Sequence, residues 1–188
     1  MNILLIGHGA REHAIAETFK KNKNVELYSF MKSKNPGIAS LSKEIMIGSY
    51  SKLGKIKDFA EKNNVELAFI GPEDPLHEGV ADELQDAGIN TIGPTKLMAR
   101  LETSKSFTRE LLEKYKIEGN PKFRVFNKDN FDGIKGFLDE LDGVVVKPDG
   151  LTGGKGVKVQ GDHFNTKEEA VKYCKEVLES FQAVIVEE

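Results

Sequence analysis

The chain has 188 residues, enough for one large or two small domains, and its 39% hydrophobic content is that of a globular protein with a sizeable core. Its 27 Lys and Arg residues are interspersed with 30 Asp and Glu residues, so the net charge is −3 and no basic patch suggests a nucleic acid partner. The single cysteine excludes an internal disulfide and is compatible with the cytoplasm, and no apolar run reaches the ~18 residues of a membrane span.

The first half of the chain alternates predicted strands and helices. Short apolar strands are predicted at residues 2–6, 25–30, 45–47, 67–70 and 91–92. Ser51 is expected to cap the helix before the fourth strand. Leu76, Val80 and Leu84 are spaced four apart and are expected to share one helix after that strand. This alternation predicts an α/β fold with a Rossmann-like, doubly wound parallel sheet.

The turn after the first strand is rich in glycine and opens a helix, whose N-terminus can hold a phosphate. It matches a dinucleotide-binding turn poorly, because Glu12 replaces the third glycine of G-x-G-x-x-G and its charge would oppose a pyrophosphate. The second strand also lacks the acid that would hold an NAD ribose. A monophosphate contacted by the turn amides and Arg11 is the favoured interpretation, and an ordinary turn without a ligand is the alternative.

Four loops with Gly or Pro follow strand ends in this half. They are Gly7-His8-Gly9, Asn35-Pro36-Gly37, Gly71-Pro72-Glu73 and Gly93-Pro94-Thr95. Ligands of parallel sheets bind beyond the carboxyl ends of the strands, and these loops should lie together at that edge. Each loop alone is more often a plain turn, but the four together predict a ligand site.

The segment LETSKSFTRELL then predicts a helix that Thr103 or Ser104 can cap. Lys105 falls in its first turn, where a positive charge is poorly placed against the helix dipole. That position makes Lys105 a candidate ligand of an anion, although a solvated surface lysine is the commoner explanation.

A second unit is predicted from about residue 117. It should contain a strand at 123–126, a helix over 131–141, a helix after the capping box of Thr166 and Glu169, and a last strand at 183–186. Cys174 lies on the apolar face of the last helix, which favours a buried structural thiol over a nucleophile.

Residues 143–160, GVVVKPDGLTGGKGVKVQ, indicate a strand, a glycine-rich flap and a returning strand. Pro148 should end the first strand because it cannot donate a hydrogen bond to a neighbouring strand. The glycines let backbone amides approach an anion, and Lys147 and Lys155 add positive charge, which suits a nucleotide triphosphate. The segment is not a Walker loop, because Asp149 stands at the first glycine position and a strand follows. A hairpin turn with exposed lysines is the alternative.

The order of lysine, Asp-Gly and Gly-Gly-Lys-Gly resembles the phosphate-binding flap of ATP-grasp ligases. Together with GHGAREHA, GPEDPL, LETSKSFTRELL and VIVEE, it resembles the glycinamide ribonucleotide synthetase (phosphoribosylamine–glycine ligase) family along the whole chain. The resemblance implies a pre-ATP-grasp substrate domain at 1–102, a connecting helix at 103–116 and the first, smaller α+β subdomain of an ATP-grasp fold at 117–188. Such ligases continue into a second ATP-grasp half, so the resemblance implies an N-terminal portion that is inactive alone.

The implied reaction is ATP-dependent amide formation, in which glycine and ATP give glycyl phosphate and the amine of 5-phosphoribosylamine displaces phosphate. The implied ATP ligands are Lys105, Lys147, Gly153, Gly154, Lys155, Gly156, Glu187 and Glu188. The implied phosphoribosylamine ligands are Gly7, Gly9, Arg11, Gly71, Glu73 and Asp149. The resemblance places the catalytic residues and the ligands of Mg²⁺ beyond Glu188, and it implies a monomeric cytoplasmic enzyme with small-molecule partners.

Other interpretations stay open at this point. Another ATP-grasp carboxylate–amine ligase would share the flap but should lack GPEDPL and the GREH-like turn. A nucleotide- or phosphate-binding module without catalysis is a second alternative. An NAD-binding module is disfavoured by Glu12 and by the missing ribose acid.

Overall fold

The computed structural model describes all 188 residues and divides them into two compact units, residues 1–99 and 100–188. Five strands form the sheet of the first unit: β1 (Asn2–Ile6), β2 (Glu26–Met31), β3 (Glu44–Ile47), β4 (Leu67–Ile70) and β5 (Asn90–Ile92). All neighbouring pairs are parallel, in the order β3-β2-β1-β4-β5. The predicted doubly wound parallel sheet is confirmed.

The central strand β1 is buried on both faces because side chains alternate across a strand. Leu4 and Ile6 pack in a core with residues of the helices on one face. Ile3 and Leu5 pack in a second core on the other face. The sheet is therefore covered on both sides, and its carboxyl edge is left to the loops.

Six helices begin in the first unit: α1 (Ala10–Lys20), α2 (Pro36–Leu41), α3 (Leu53–Lys62), α4 (Glu73–Glu78), α5 (Val80–Asp86) and α6 (Lys96–Thr103). The predicted cap at Ser51 is wrong, since α3 follows Lys52 without a side-chain cap and the Ser51 hydroxyl lies 2.8 Å from the Ser49 hydroxyl. The single helix predicted through Leu76, Val80 and Leu84 is also wrong. Gly79 interrupts it at φ +96°, a left-handed conformation that ends α4.

The second unit has four antiparallel strands in the order β6-β9-β7-β8. Their bounds are β6 (Phe123–Phe126), β7 (Val145–Pro148), β8 (Lys158–Val159) and β9 (Val184–Glu187). Three helices accompany them: α7 (Lys105–Lys114), α8 (Ile134–Asp139) and α9 (Lys167–Ser180). The strand predicted to end at Pro148 does so, and the returning strand β8 is shorter than predicted. Helix α7 lies within the connecting helix predicted at 103–116, and the three-part division itself stays a prediction.

Helix α9 begins at the predicted capping box. The Thr166 hydroxyl accepts a hydrogen bond from the Glu169 amide at 3.2 Å, and the Glu169 carboxylate accepts one from the Thr166 amide at 3.1 Å. Its apolar face carries Cys174, where burial raises the pKa of the thiol to about 12, as expected of a structural cysteine.

Helix α8 is shorter than predicted. A 3₁₀ turn, Phe131–Gly133, precedes it, and the two glycines of this segment weaken a continuous helix. No helix of the chain combines the length and the apolar character needed to cross a membrane.

Candidate functional site

The first unit brings four of the predicted substrate ligands together at the ends of β1 and β4, which are adjacent strands. Both glycines continue the hydrogen bonding of the sheet: the Gly71 amide donates to the Ile6 carbonyl at 3.0 Å, and the Gly7 amide donates to the Phe30 carbonyl at 3.1 Å. The Arg11 guanidinium donates to the Gly71 carbonyl at 3.3 Å and joins the two loops. Gly9 is the N-cap of α1, and the fifth predicted residue, Glu73, is the first residue of α4.

Glu12 fills the space that the third glycine leaves open in a dinucleotide-binding turn. Its side chain is almost fully buried, and one carboxylate oxygen accepts a hydrogen bond from the Gly9 amide at 2.8 Å. A Cβ on Gly7 or on Gly71 would lie 2.5 Å from Glu12 Cγ, so both glycines are needed to accommodate this side chain. The turn therefore caps itself with a carboxylate.

The start of α1 still offers groups for one anion. The amides of Ala10 and Arg11 have no carbonyl partner inside the helix, as at the start of any helix. The Arg11 side chain is 70% exposed, so most of its guanidinium is free to meet a ligand. These groups can contact a monophosphate at the edge of the sheet.

Two further polar residues lie at this edge: Tyr50, which sequence reasoning missed, and Asn35, which belongs to one of the four predicted loops. The Tyr50 hydroxyl lies 3.1 Å from His8 Nδ1, and burial raises the pKa of this tyrosine to about 12. Asn35 caps α2 with its side-chain oxygen and donates to the His8 carbonyl at 3.0 Å. Asn35 thereby ties its loop to the turn after β1.

The second unit contains a buried ion cluster. The Glu187 carboxylate, on β9, is only 5% exposed and contacts both the Lys147 ammonium, on β7, and the Arg109 guanidinium, on α7. Burial raises the pKa of Glu187, but the hydrogen bonds from Arg109 and Lys147 outweigh burial and hold it below its ordinary value. Sequence reasoning named Lys147 and Glu187 but missed Arg109.

Two contacts join the start of α7 to the residues after β7. They are made by Lys105, the first residue of α7, and by Asp149, which follows β7. The Lys105 ammonium donates to the Gly150 carbonyl at 2.7 Å, and burial lowers the pKa of this lysine, as does nearby Lys147. The Asp149 carboxylate accepts hydrogen bonds from the Ser104 hydroxyl at 3.3 Å and from the amide and hydroxyl of Ser106. Asp149 therefore anchors the start of α7, and its role as a substrate ligand stays a prediction.

A cavity of about 200 Å³ opens beside this cluster. Its lining residues are Leu101, Glu102, Lys105, Thr108, Arg109, Lys147 and Glu187. Three cations against two carboxylates leave the lining with one net positive charge. An anionic ligand therefore suits this cavity better than a neutral one.

The flap between β7 and β8 depends on glycine for its shape. Gly150, Gly153, Gly154 and Gly156 all have positive φ, between +58° and +126°. Nothing lies within 4 Å of a Cβ on Gly153 or Gly154, so the flap tip stands clear of its surroundings. Lys155 at the tip is exposed, and the Tyr173 hydroxyl holds the base of the flap by donating to the Gly156 carbonyl at 2.6 Å.

The flap should exchange its amide hydrogens quickly in the absence of ligand. Gly153 and Gly154 donate no backbone hydrogen bond, whereas Val146 lies in the sheet and is fully buried. Hydrogen exchange read by NMR should show fast exchange at the two glycines and strong protection at Val146. Protection of Gly153 equal to that of Val146 would contradict a mobile flap.

Comparison with solved structures shows which fold the chain has. An ADP complex of N5-carboxyaminoimidazole ribonucleotide synthetase matches with a TM-score of 0.75 and 17% identity over 99% of this chain and 46% of that chain. D-alanine–D-alanine ligase from Bacillus anthracis matches with a TM-score of 0.67 and 20% identity over 100% of this chain and 57% of that chain. The parallel sheet followed by an antiparallel sheet with a glycine flap is thus the fold of the ATP-grasp ligases.

The family follows from sequence. The model of the phosphoribosylglycinamide synthetase N domain matches residues 1–102, and that of the phosphoribosylglycinamide synthetase ATP-grasp (A) domain matches residues 103–188. The chain belongs to the phosphoribosylglycinamide synthetase family, which confirms the resemblance seen in its motifs.

Curated relatives agree with this assignment. Phosphoribosylamine–glycine ligase of Methanococcus vannielii is 54% identical over 183 residues, 95% of this chain and 41% of that protein. The protein of the same name from Methanobrevibacter smithii is 49% identical over 193 residues, 100% of this chain and 43% of that protein. The chain thus spans about two fifths of the length of the curated relatives it matches.

Proposed function

We propose that the chain provides the acceptor and nucleotide sites of a phosphoribosylamine–glycine ligase. That enzyme joins glycine to 5-phosphoribosylamine and converts ATP to ADP and phosphate. The observation that carries the proposal is the 54% identity to a ligase of that name over 95% of the chain. The proposal includes a monomeric, cytoplasmic enzyme that acts on small molecules.

The nucleotide site is proposed in the second unit, at the cationic cavity. Lys105 and Lys147 would hold phosphates of ATP, and the flap residues Gly153–Gly156 would cover them. The backbone at Glu187 and Glu188 would contact adenine. Phosphoryl transfer needs positioning and charge neutralisation more than covalent chemistry from the protein, and this lining offers both.

The acceptor site is proposed in the first unit. The Arg11 guanidinium and the amides at the start of α1 would hold the phosphate of 5-phosphoribosylamine. Gly7, Gly9 and Gly71 are also proposed to line this site, where their lack of a Cβ leaves room for the Glu12 side chain. Glu73 would bind the sugar or its amine.

The nucleotide is expected to arrive with Mg²⁺, which neutralises its phosphates when bound. The residues of this chain do not fit a metal site of their own, because no group of three His, Cys, Asp or Glu side chains is placed to hold an ion. The metal ligands are therefore not assigned to these residues.

The reaction can be tested in the full-length ligase that carries these residues. ADP release should require glycine and 5-phosphoribosylamine together, and mass spectrometry should detect glycinamide ribonucleotide. ADP release with bicarbonate and an imidazole ribonucleotide in place of these substrates would contradict the proposal and favour a different ligase of the same fold.

A further inference from the structure

The Arg109 side chain is held in one orientation by Glu187 and Asn120. Its guanidinium meets the Glu187 carboxylate through two nitrogens, with Nε 2.8 Å from Oε2 and Nη2 3.1 Å from Oε1. Its remaining nitrogen, Nη1, donates to Asn120 Oδ1 at 3.4 Å, and the side-chain nitrogen of Asn120 donates to the Arg109 carbonyl at 3.0 Å. A planar guanidinium bound in this way has little freedom to turn toward another ligand.

Glu187 is shared between two cations. Lys147 contacts the same carboxylate oxygen, Oε1, that Arg109 Nη2 approaches. A buried carboxylate with only Lys147 as partner would neutralise that lysine completely. With Arg109 present, the three groups together keep one positive charge, and Arg109 supplies the compensation that Glu187 requires.

We propose that Arg109 is a positioning residue of the nucleotide site, which acts through Glu187 to leave the charge of Lys147 available to phosphate. The inference rests on the proposed function, since it concerns the same cavity. Arg109 itself is not expected to bond the phosphates, because its guanidinium is committed to Glu187 and Asn120.

This role predicts an effect that depends on the phosphates of the ligand. Replacing Arg109 by glutamine removes the compensating charge, and Lys147 then remains paired with Glu187. Affinity for ATP and for inorganic tripolyphosphate should each fall about tenfold, while affinity for adenosine should stay the same. If Arg109 only stabilised the fold, the substitution would lower the affinity for all three ligands to the same extent.

The experiment titrates each ligand into the 188-residue chain and monitors binding by NMR. NMR detects even millimolar binding. Arg109→Gln is compared with Arg109→Lys, which keeps the charge and should recover most of the affinity for ATP and tripolyphosphate. Lys114→Gln is the matched control, because it removes a positive charge from the same helix at an exposed position. It should change none of the three affinities.

The outcomes separate the two claims. If the wild-type chain binds ATP and the Arg109→Gln chain binds it with the same affinity, the role of Arg109 is overturned and the nucleotide site stands. Equal weakening of ATP and adenosine would also overturn it. If the wild-type chain bound neither ATP nor tripolyphosphate at millimolar concentration, the proposed nucleotide site would fail, and the role of Arg109 would fail with it.

Discussion

Replacing Lys147 by alanine should lower the affinity for ATP by about 10- to 150-fold, the value of a charge-assisted hydrogen bond of roughly 1.5–3 kcal/mol. Lys147 is the cation that projects from β7 into the cavity beside the flap. Its loss leaves Glu187 and Arg109 paired with each other, so no positive charge of the three groups remains for a phosphate. Isothermal calorimetry of the wild type and of Lys147→Ala with MgATP measures the change in affinity.

The matched control is Lys122→Ala in the same unit. Lys122 is exposed and pairs with Glu140 outside the cavity, so its loss should leave ATP affinity unchanged. A folded Lys147→Ala protein, verified by circular dichroism, that bound ATP as tightly as the wild type would refute the assigned phosphate role of Lys147.

Replacing Gly71 by alanine should destabilise the first unit by about 1–3 kcal/mol, as overpacking in a tight interior does. The new Cβ would lie 2.5 Å from Glu12 Cγ and 2.7 Å from Cδ. Glu12 is buried and holds the Gly9 amide, so it cannot move without breaking the cap of α1. Urea unfolding followed by circular dichroism gives the change in the free energy of unfolding.

Gly54→Ala is the matched control for this change. Gly54 lies in helix α3, and nothing stands within 4 Å of a Cβ there. The same added methyl group should therefore stabilise the protein, by up to about 1 kcal/mol, through higher helix propensity. Equal effects of the two substitutions would show that Glu12 does not constrain Gly71.

The parallel sheet could be predicted because its signal is local. The strands are short and mostly apolar, β1 and β2 are almost fully buried, and a loop rich in Gly or Pro follows four of the five strands. The break between α4 and α5 could not be predicted in the same way. Leu76, Val80 and Leu84 all pack into one core, so their spacing fits one helix or two. The left-handed conformation of Gly79 decides between them, and periodicity does not report it.

The candidate site was predicted as far as its residues belong to local motifs. The flap glycines, Lys105 and Lys147 stand out from the sequence by their spacing. Arg109 does not, because its partner Glu187 is 78 residues away in the chain. One signal could have found the pair: a charged residue in an otherwise buried apolar strand requires a partner of opposite charge.

Asp149 shows the same dependence on distant contacts. The resemblance implied that Asp149 is a ligand of the substrate. In the structure its oxygens accept hydrogen bonds from Ser104 and Ser106, more than 40 residues earlier in the chain. These contacts account for an aspartate at this position without a ligand, and its substrate role stays a prediction.

The central claim is that the sugar phosphate and the nucleotide bind at separate sites, one in each unit. It is tested most directly by Arg11→Ala in the full-length ligase, titrated calorimetrically with ribose 5-phosphate, a stable analogue of the acceptor, and separately with MgATP. Arg11 lies in the first unit and extends an exposed guanidinium beside the start of α1. The substitution should lower the affinity for ribose 5-phosphate by about 10- to 150-fold and leave the affinity for ATP within about twofold of that of the wild type. If Arg11→Ala lowered the affinity for ATP as much as the affinity for ribose 5-phosphate, the turn after β1 would belong to the nucleotide pocket, and the assignment of two sites would be wrong.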